Sequence, residues 1–180
     1  PLQTASGGQA ASISAQSVTN KVSAPAIPVY SGSAIENATP SKLEITYNLS
    51  LANIVPAASA FTVQVNSVAR SINSVAVSGT KVTLTLSSAV AYGNAVTVAY
   101  TKPASNPLQT ASGGQAASIS AQSVTNKVGA PAPVYSGSAI ENAAPSKLEM
   151  TYNLSLANIA PSASAFSVRV NNVARAVSSV

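Results

Sequence analysis

The chain has 180 residues, nine Lys and Arg against four acidic residues, a net charge of +5, and no Cys, His, Trp or Asp. Without Cys or His there is no zinc, haem or iron–sulfur ligand set, no Ser-His-Asp or Cys-His nucleophile and no disulfide, so stability has to come from packing. Only 7% of residues are charged, against about 25% in ordinary domains.

Residues 1–22, "PLQTASGGQAASISAQSVTNKV", recur unchanged as 107–128, and residues 23–75 recur with a few substitutions and without Ile27 as 129–180. The offset is 106 residues before that gap (Pro1 to Pro107) and 105 after it (Tyr30 to Tyr135). A period of this length is too long for a solenoid and matches one compact domain. Residues 1–22 therefore read as the C-terminal end of a preceding repeat, 23–128 as a complete repeat, and 129–180 as the N-terminal half of the next. With Pro at position 1, the chain reads as a window cut from a longer tandem array.

In chain order, "KVSAPAIPVY" (21–30) is a Pro-rich linker, extended and semi-rigid. "KLEITYNLS" follows with strict alternation: Leu43, Ile45, Tyr47 and Leu49 on one face, Lys42, Glu44, Thr46 and Asn48 on the other. "LANIVPAASA" (51–60) is the one possible helical turn, interrupted by Pro56. "FTVQV", "KVTLTL" and "AVTVAY" alternate in the same way, and "VARSI", "SVAV" and "ASISAQSVTN" supply weaker strands. Asn66-Ser67, Ser78-Gly79 and Gly93-Asn94 mark turns, with Ser78-Gly79-Thr80 predicting a tight hairpin, and Pro103 and Pro107 fall in a longer loop. The uncharged stretch 82–101 carries Thr or Ser at nearly every second position and a Gly-Asn turn, which predicts two strands of a hairpin rather than a membrane span. About seven short strands per repeat predict an all-β, immunoglobulin-like β-sandwich in tandem, without the Cys and Trp of antibody domains. Differences between the copies keep character: Ile45 becomes Met150, whereas Gln64 becomes Arg169.

"PAASAFTVQVN" (56–66), "VSGTKVTLTLSSAV" (77–90), "VTVAYTKP" (96–103) and "QSVTN" (122–126) together resemble the SWM-type tandem repeat of very large bacterial surface and secreted proteins, of the cyanobacterial swimming-motility type. The resemblance covers essentially the whole unit. It implies an extracellular immunoglobulin-like module with structural or adhesive duty and no enzyme activity. Where that family tends to read D-x-x-G-N-D, this chain has Thr110-Ala111-Ser112-Gly113-Gly114-Gln115. Calcium takes six to eight oxygen ligands, carboxylates prominent among them, so the neutral loop argues against a calcium site.

No residue is singled out as catalytic, cofactor-binding or metal-ligating. Glu36 and Glu44, copied as Glu141 and Glu149, are the only carboxylates; Glu44 is expected to pair with Lys42 on an exposed strand face, worth at most about 1 kcal/mol. A Lys–Asn cross-link through a buried acid could name Lys42, Glu44 and Asn48, but these share one solvated face. Lys21, Lys42, Arg70, Lys81, Lys102 and Lys127 are dispersed along the chain, not clustered as a nucleic-acid interface requires. Tyr47 and Tyr100 are expected in the core with their hydroxyls reaching the edge, and Tyr30, Tyr92 and Tyr135 in loops or at a junction. Asn37-Ala38-Thr39, Asn48-Leu49-Ser50 and Asn153-Leu154-Ser155 match the glycosylation pattern. The functional expectation is a structural module of an extracellular filament, sheath or surface layer at the bacterial cell surface. Its partner is itself, with strand exchange between units and with cell-envelope polysaccharide as a further partner; no cofactor, nucleic acid or membrane span is expected. The alternative is a stalk or ligand-binding repeat of a large adhesin.

Overall fold

The computed structural model describes residues 2–180 and divides the chain into two compact units, one ending at Gly129 and the other spanning Ala130–Val180. Among the described residues there is no α-helix.

The first unit contains eight strands: β1 (Tyr30–Ile35), β2 (Lys42–Tyr47), β3 (Phe61–Val65), β4 (Val68–Arg70), β5 (Ile72–Ser78), β6 (Lys81–Leu86), β7 (Val96–Tyr100) and β8 (Ile119–Asn126). They are ordered β4-β3-β7-β8-β1-β2-β6-β5. β8 is the join. It runs antiparallel to β7, then turns parallel to β1 for its last two residues, Thr125 opposite Ala34 and Asn126 opposite Ile35. The two halves, β1-β2-β6-β5 and β4-β3-β7-β8, enclose one core. Alternate residues of each half enter it: Leu43, Ile45 and Tyr47 with Val82, Leu84 and Leu86 from one, Phe61, Val63 and Val65 with Val96, Val98 and Tyr100 from the other. Period-two alternation therefore becomes burial, and each aliphatic side chain so buried contributes about 1.5–3 kcal/mol. The fold is an all-β sandwich.

The alternating strands stand where the sequence places them, and "LANIVPAASA" yields one 3-10 turn at Ala58–Ala60. Two details differ. β1 adds an eighth strand from "YSGSAI", whose small residues hide the alternation. β6 and β7 are not a hairpin: β6 pairs with β2 and β5, β7 with β3 and β8. The connection 87–95 crosses from one half of the sandwich to the other. It is held by Val90, which is buried and whose N–H donates to the Pro40 carbonyl. The hairpin at Gly79-Thr80 is present, with Ser78 opposite Lys81 and Gly79 at φ +56.

Residues 2–22 belong to the first unit and are exposed throughout. Residues 2–10 close a small hairpin, with Gln3 opposite Gln9 and Ala10 N–H on the Leu2 carbonyl at 2.8 Å. The identical residues 108–116 make the same hairpin, with Gln109 opposite Gln115 and Ala116 N–H on the Leu108 carbonyl at 2.8 Å. Beyond it the copies diverge: 119–126 are strand β8, whereas 11–22 are not in a strand. The tight turn is intrinsic to the sequence, and the strand requires a partner strand.

The second unit contains β9 (Tyr135–Ala139) paired with β10 (Glu149–Tyr152), and β11 (Val168–Val170) paired with β12 (Val173–Arg175). These are the counterparts of β1–β4 and keep their turns, down to Asn171 and Asn172 at φ 50 and 64 where Asn66 and Ser67 have 51 and 65. The inward face is uncovered: Leu148, Met150 and Val170 are 43%, 38% and 42% exposed, where Leu43, Ile45 and Val65 are 0%, 0% and 4%.

Candidate functional site

The chemistry-bearing side chains of the first unit fall at three places. The first is the outer face of β1, β2 and β6, where Glu44 meets Lys81 at 2.6 Å and Glu36 meets Lys127 at 2.7 Å beside Ser31, Ser33, Thr46 and Thr125. Glu44 thus pairs across the sheet, not with Lys42 along its own strand: Lys81 sits opposite Thr46, one diagonal from Glu44. The hydrogen bond to Glu44 raises the Lys81 ammonium above its ordinary value, and the charge of Glu44 adds to this. Both pairs are about half exposed. Such pairs order a surface and do little else. Lys42 and Asn48 are exposed, and Asn48 is committed elsewhere.

The second place is the open edge between β4 and β5, a shallow groove over Phe61, Val63, Arg70 and Ile72. Arg70 is tied to the Ser88 carbonyl at 3.3 Å and to the Ser88 hydroxyl.

The third holds the chain where it comes into the unit and where it leaves. Pro28 is buried, and Val29 N–H donates to Asn48 Oδ1 at 2.7 Å while Asn48 N–H returns a bond to the Val29 carbonyl at 3.0 Å. Thr110 Oγ1 donates to the Ala26 carbonyl at 3.2 Å. On leaving, Lys127 N–H donates to the Ile35 carbonyl at 3.0 Å, and Gly129 N–H donates to Asn37 Oδ1 at 2.9 Å. Two of the asparagines that match the glycosylation pattern, Asn37 and Asn48, are thus backbone clamps. The second unit repeats one of them, with Val134 N–H on Asn153 Oδ1 at 2.7 Å. Sequence reasoning missed these clamps because the partners of Thr110 and Asn37 lie 84 and 92 residues away.

The tyrosines divide. Tyr92 is 61% exposed in its loop, and Tyr30 is half-buried at the start of β1 with its hydroxyl on Ser33 at 2.9 Å. Tyr100 is buried, and its hydroxyl accepts from Leu108 N–H at 2.9 Å. Tyr47 is buried with its hydroxyl short of the edge and without a protein partner. Burial raises the Tyr47 hydroxyl far above the tyrosine range, with Tyr100 and Tyr30 adding to the effect; burial also raises Tyr100, opposed by the Leu108 N–H. Among the described residues no three Asp, Glu, His or Cys side chains gather as a metal site would require, and no helix is long and apolar enough to cross a membrane.

Residues 23–105 match a family model, SWM_repeat, described as "Putative flagellar system-associated repeat". A comparison with curated proteins returns no match. Two similar solved structures are the N-terminal part of the bacterial S-layer protein SbsC and the S-layer protein rSbsC(31-844). The first is 18% identical with a TM-score of 0.44, covering 64% of this chain and 26% of that one. The second is 20% identical with a TM-score of 0.45, covering 61% of this chain and 14% of that one.

Proposed function

Residues 23–105 carry the SWM-type repeat, and from that premise we propose that the chain is part of a bacterial cell-surface array of tandem β-sandwich beads whose duty is structural. The observation that carries this reading is the verbatim return of residues 1–22 at 107–128, in a unit whose backbone is clamped where it comes in and where it leaves. A repeat held at both ends transmits position from one bead to the next. The immunoglobulin-like assignment is supported by strand order: β1-β2-β6-β5 against β4-β3-β7-β8 corresponds to A-B-E-D against C′-C-F-G. The repeat boundaries at 1–22, 23–128 and 129–180 belong to the same proposal.

The array is extracellular and non-enzymatic, and forms a filament, sheath or layer by contacts between copies of itself. Its dilute charge of +5 suits loose attraction to anionic envelope polysaccharide. Electron microscopy of native material tests the reading. A regular assembly with an axial repeat commensurate with one bead is expected; isolated, irregular stalks would overturn it. The neutral turn Thr110–Gln115 weighs against the calcium-dependent form of the adhesin alternative, and a melting temperature unchanged by a chelator is the expected result.

A further inference from the structure

The two copies of the 22-residue segment form a comparison built into the molecule. In both, the hairpin is closed by one threonine. Thr4 Oγ1 accepts from Gly8 N–H at 3.1 Å and meets Ser6 Oγ at 3.0 Å; Thr110 Oγ1 accepts from Gly114 N–H at 3.1 Å and meets Ser112 Oγ at 3.0 Å. A hydroxyl has one proton to give and two lone pairs to receive with. In the second copy the proton goes to the Ala26 carbonyl, so Ser112 donates to Thr110 and the hydroxyl is saturated.

The glycines differ in the same way. A Cβ on Gly114 would lie 2.0 Å from the Ala26 carbonyl oxygen and 2.7 Å from its carbon; a Cβ on Gly8 would meet only Thr4 Oγ1, at 3.2 Å. Neither glycine has a positive φ. Gly114 is therefore required by the linker lying against it, and not by its own turn. The hairpin is itself fixed to the sandwich through the buried Leu108 and Ala116 and through Ala52 N–H on the Gln109 carbonyl at 2.7 Å.

We propose that the 108–116 hairpin is a latch whose ligand is the backbone of the incoming linker, held by Thr110 over a floor that glycine alone leaves open. By the repeat, Ala132 occupies the place of Ala26, and Gly129 is already clamped by Asn37. On the array reading above, Ala132 is the residue that the next bead's own hairpin would hold. The latch pins the Pro-rich linker to its own bead.

The test uses the whole chain, which has no native cysteine, spin-labelled at Ala24→Cys and Ser123→Cys for pulsed electron–electron distance measurement. A single narrow distance distribution is expected. Gly114→Ala should broaden it at least twofold while the β-sheet circular dichroism persists, and Gly8→Ala should leave it unchanged. A broad distribution in the parent, or an unchanged width in folded Gly114→Ala, overturns the latch. Should Gly114→Ala not fold, Thr110→Val decides by the same width: broadening supports the latch and no change overturns it. These outcomes are independent of whether the native material assembles into a regular array.

Discussion

The Tyr100 hydroxyl accepts a hydrogen bond from the Leu108 backbone N–H at 2.9 Å, inside the core, and so ties the end of β7 to the start of the 108–116 hairpin. Removing it leaves a buried N–H unpaired, which costs about 1–3 kcal/mol. Tyr47 is the opposite case, a buried hydroxyl without a protein partner. Tyr100→Phe is therefore expected to lower unfolding free energy by about 1–3 kcal/mol, whereas Tyr47→Phe is expected to be neutral or stabilising by about 1 kcal/mol. Urea unfolding of the two variants checks this, and equal losses would contradict it.

The same pair sets the alkaline limit. Both hydroxyls are raised by burial, so between the unfolded value near 10 and their native values the unfolded chain gives up protons that the folded one keeps. Folding stability is then complete below about pH 10 and falls as pH rises, by up to about 1.4 kcal/mol per pH unit for each tyrosine. Lys81, raised by its bond to Glu44, acts in the same direction, because its ion pair is lost as the ammonium deprotonates. Denaturant midpoints between pH 8 and 12 should fall above 10, and Tyr47→Phe should make the fall shallower.

The β3–β4 turn offers a stabilising change. Asn66 and Ser67 have φ 51 and 65. The Asn66 side chain has a task there, accepting Ala95 N–H at 2.9 Å. Ser67 has none, and pays the left-handed penalty of about 1–2 kcal/mol that asparagine escapes in part. The second unit has Asn172 at φ 64 in that place. Ser67→Asn should raise stability by up to about 1 kcal/mol, and Ser67→Val should lower it by about 1–2 kcal/mol; thermal melts distinguish the two by sign.

What was readable in the sequence was whatever a side chain does to its own strand. β2, β3, β6 and β7 alternate Val, Leu, Ile or aromatic residues with Thr, Gln or Lys, and they bury one face accordingly. β1 was hidden because of its six residues only Ile35 is fully buried. The separation of β6 from β7 was hidden because Gly93-Asn94 is a genuine turn, with Gly93 at φ +77, inside a connection that crosses the core. The partner of Glu44 and the linker clamps were hidden for one reason: each joins residues far apart in sequence, through pairing that alternation leaves undetermined.

The identical segments 13–20 and 119–126 should differ in amide hydrogen exchange, because one is outside any strand and the other is β8, bonded to β7 and β1. Peptides that run past Ser23 or Gly129 separate the copies by mass, since the residues before those positions are the same. Amides of 119–126 should exchange at least about a hundredfold more slowly than those of 13–20, whose openings are near zero in free energy. The comparison also decides strand exchange between chains. In the sandwich β8 is held chiefly by β7, with two residues of contact to β1. Protection of 13–20 that rises with protein concentration toward that of 119–126 is the outcome strand exchange requires; free exchange at every concentration would overturn it.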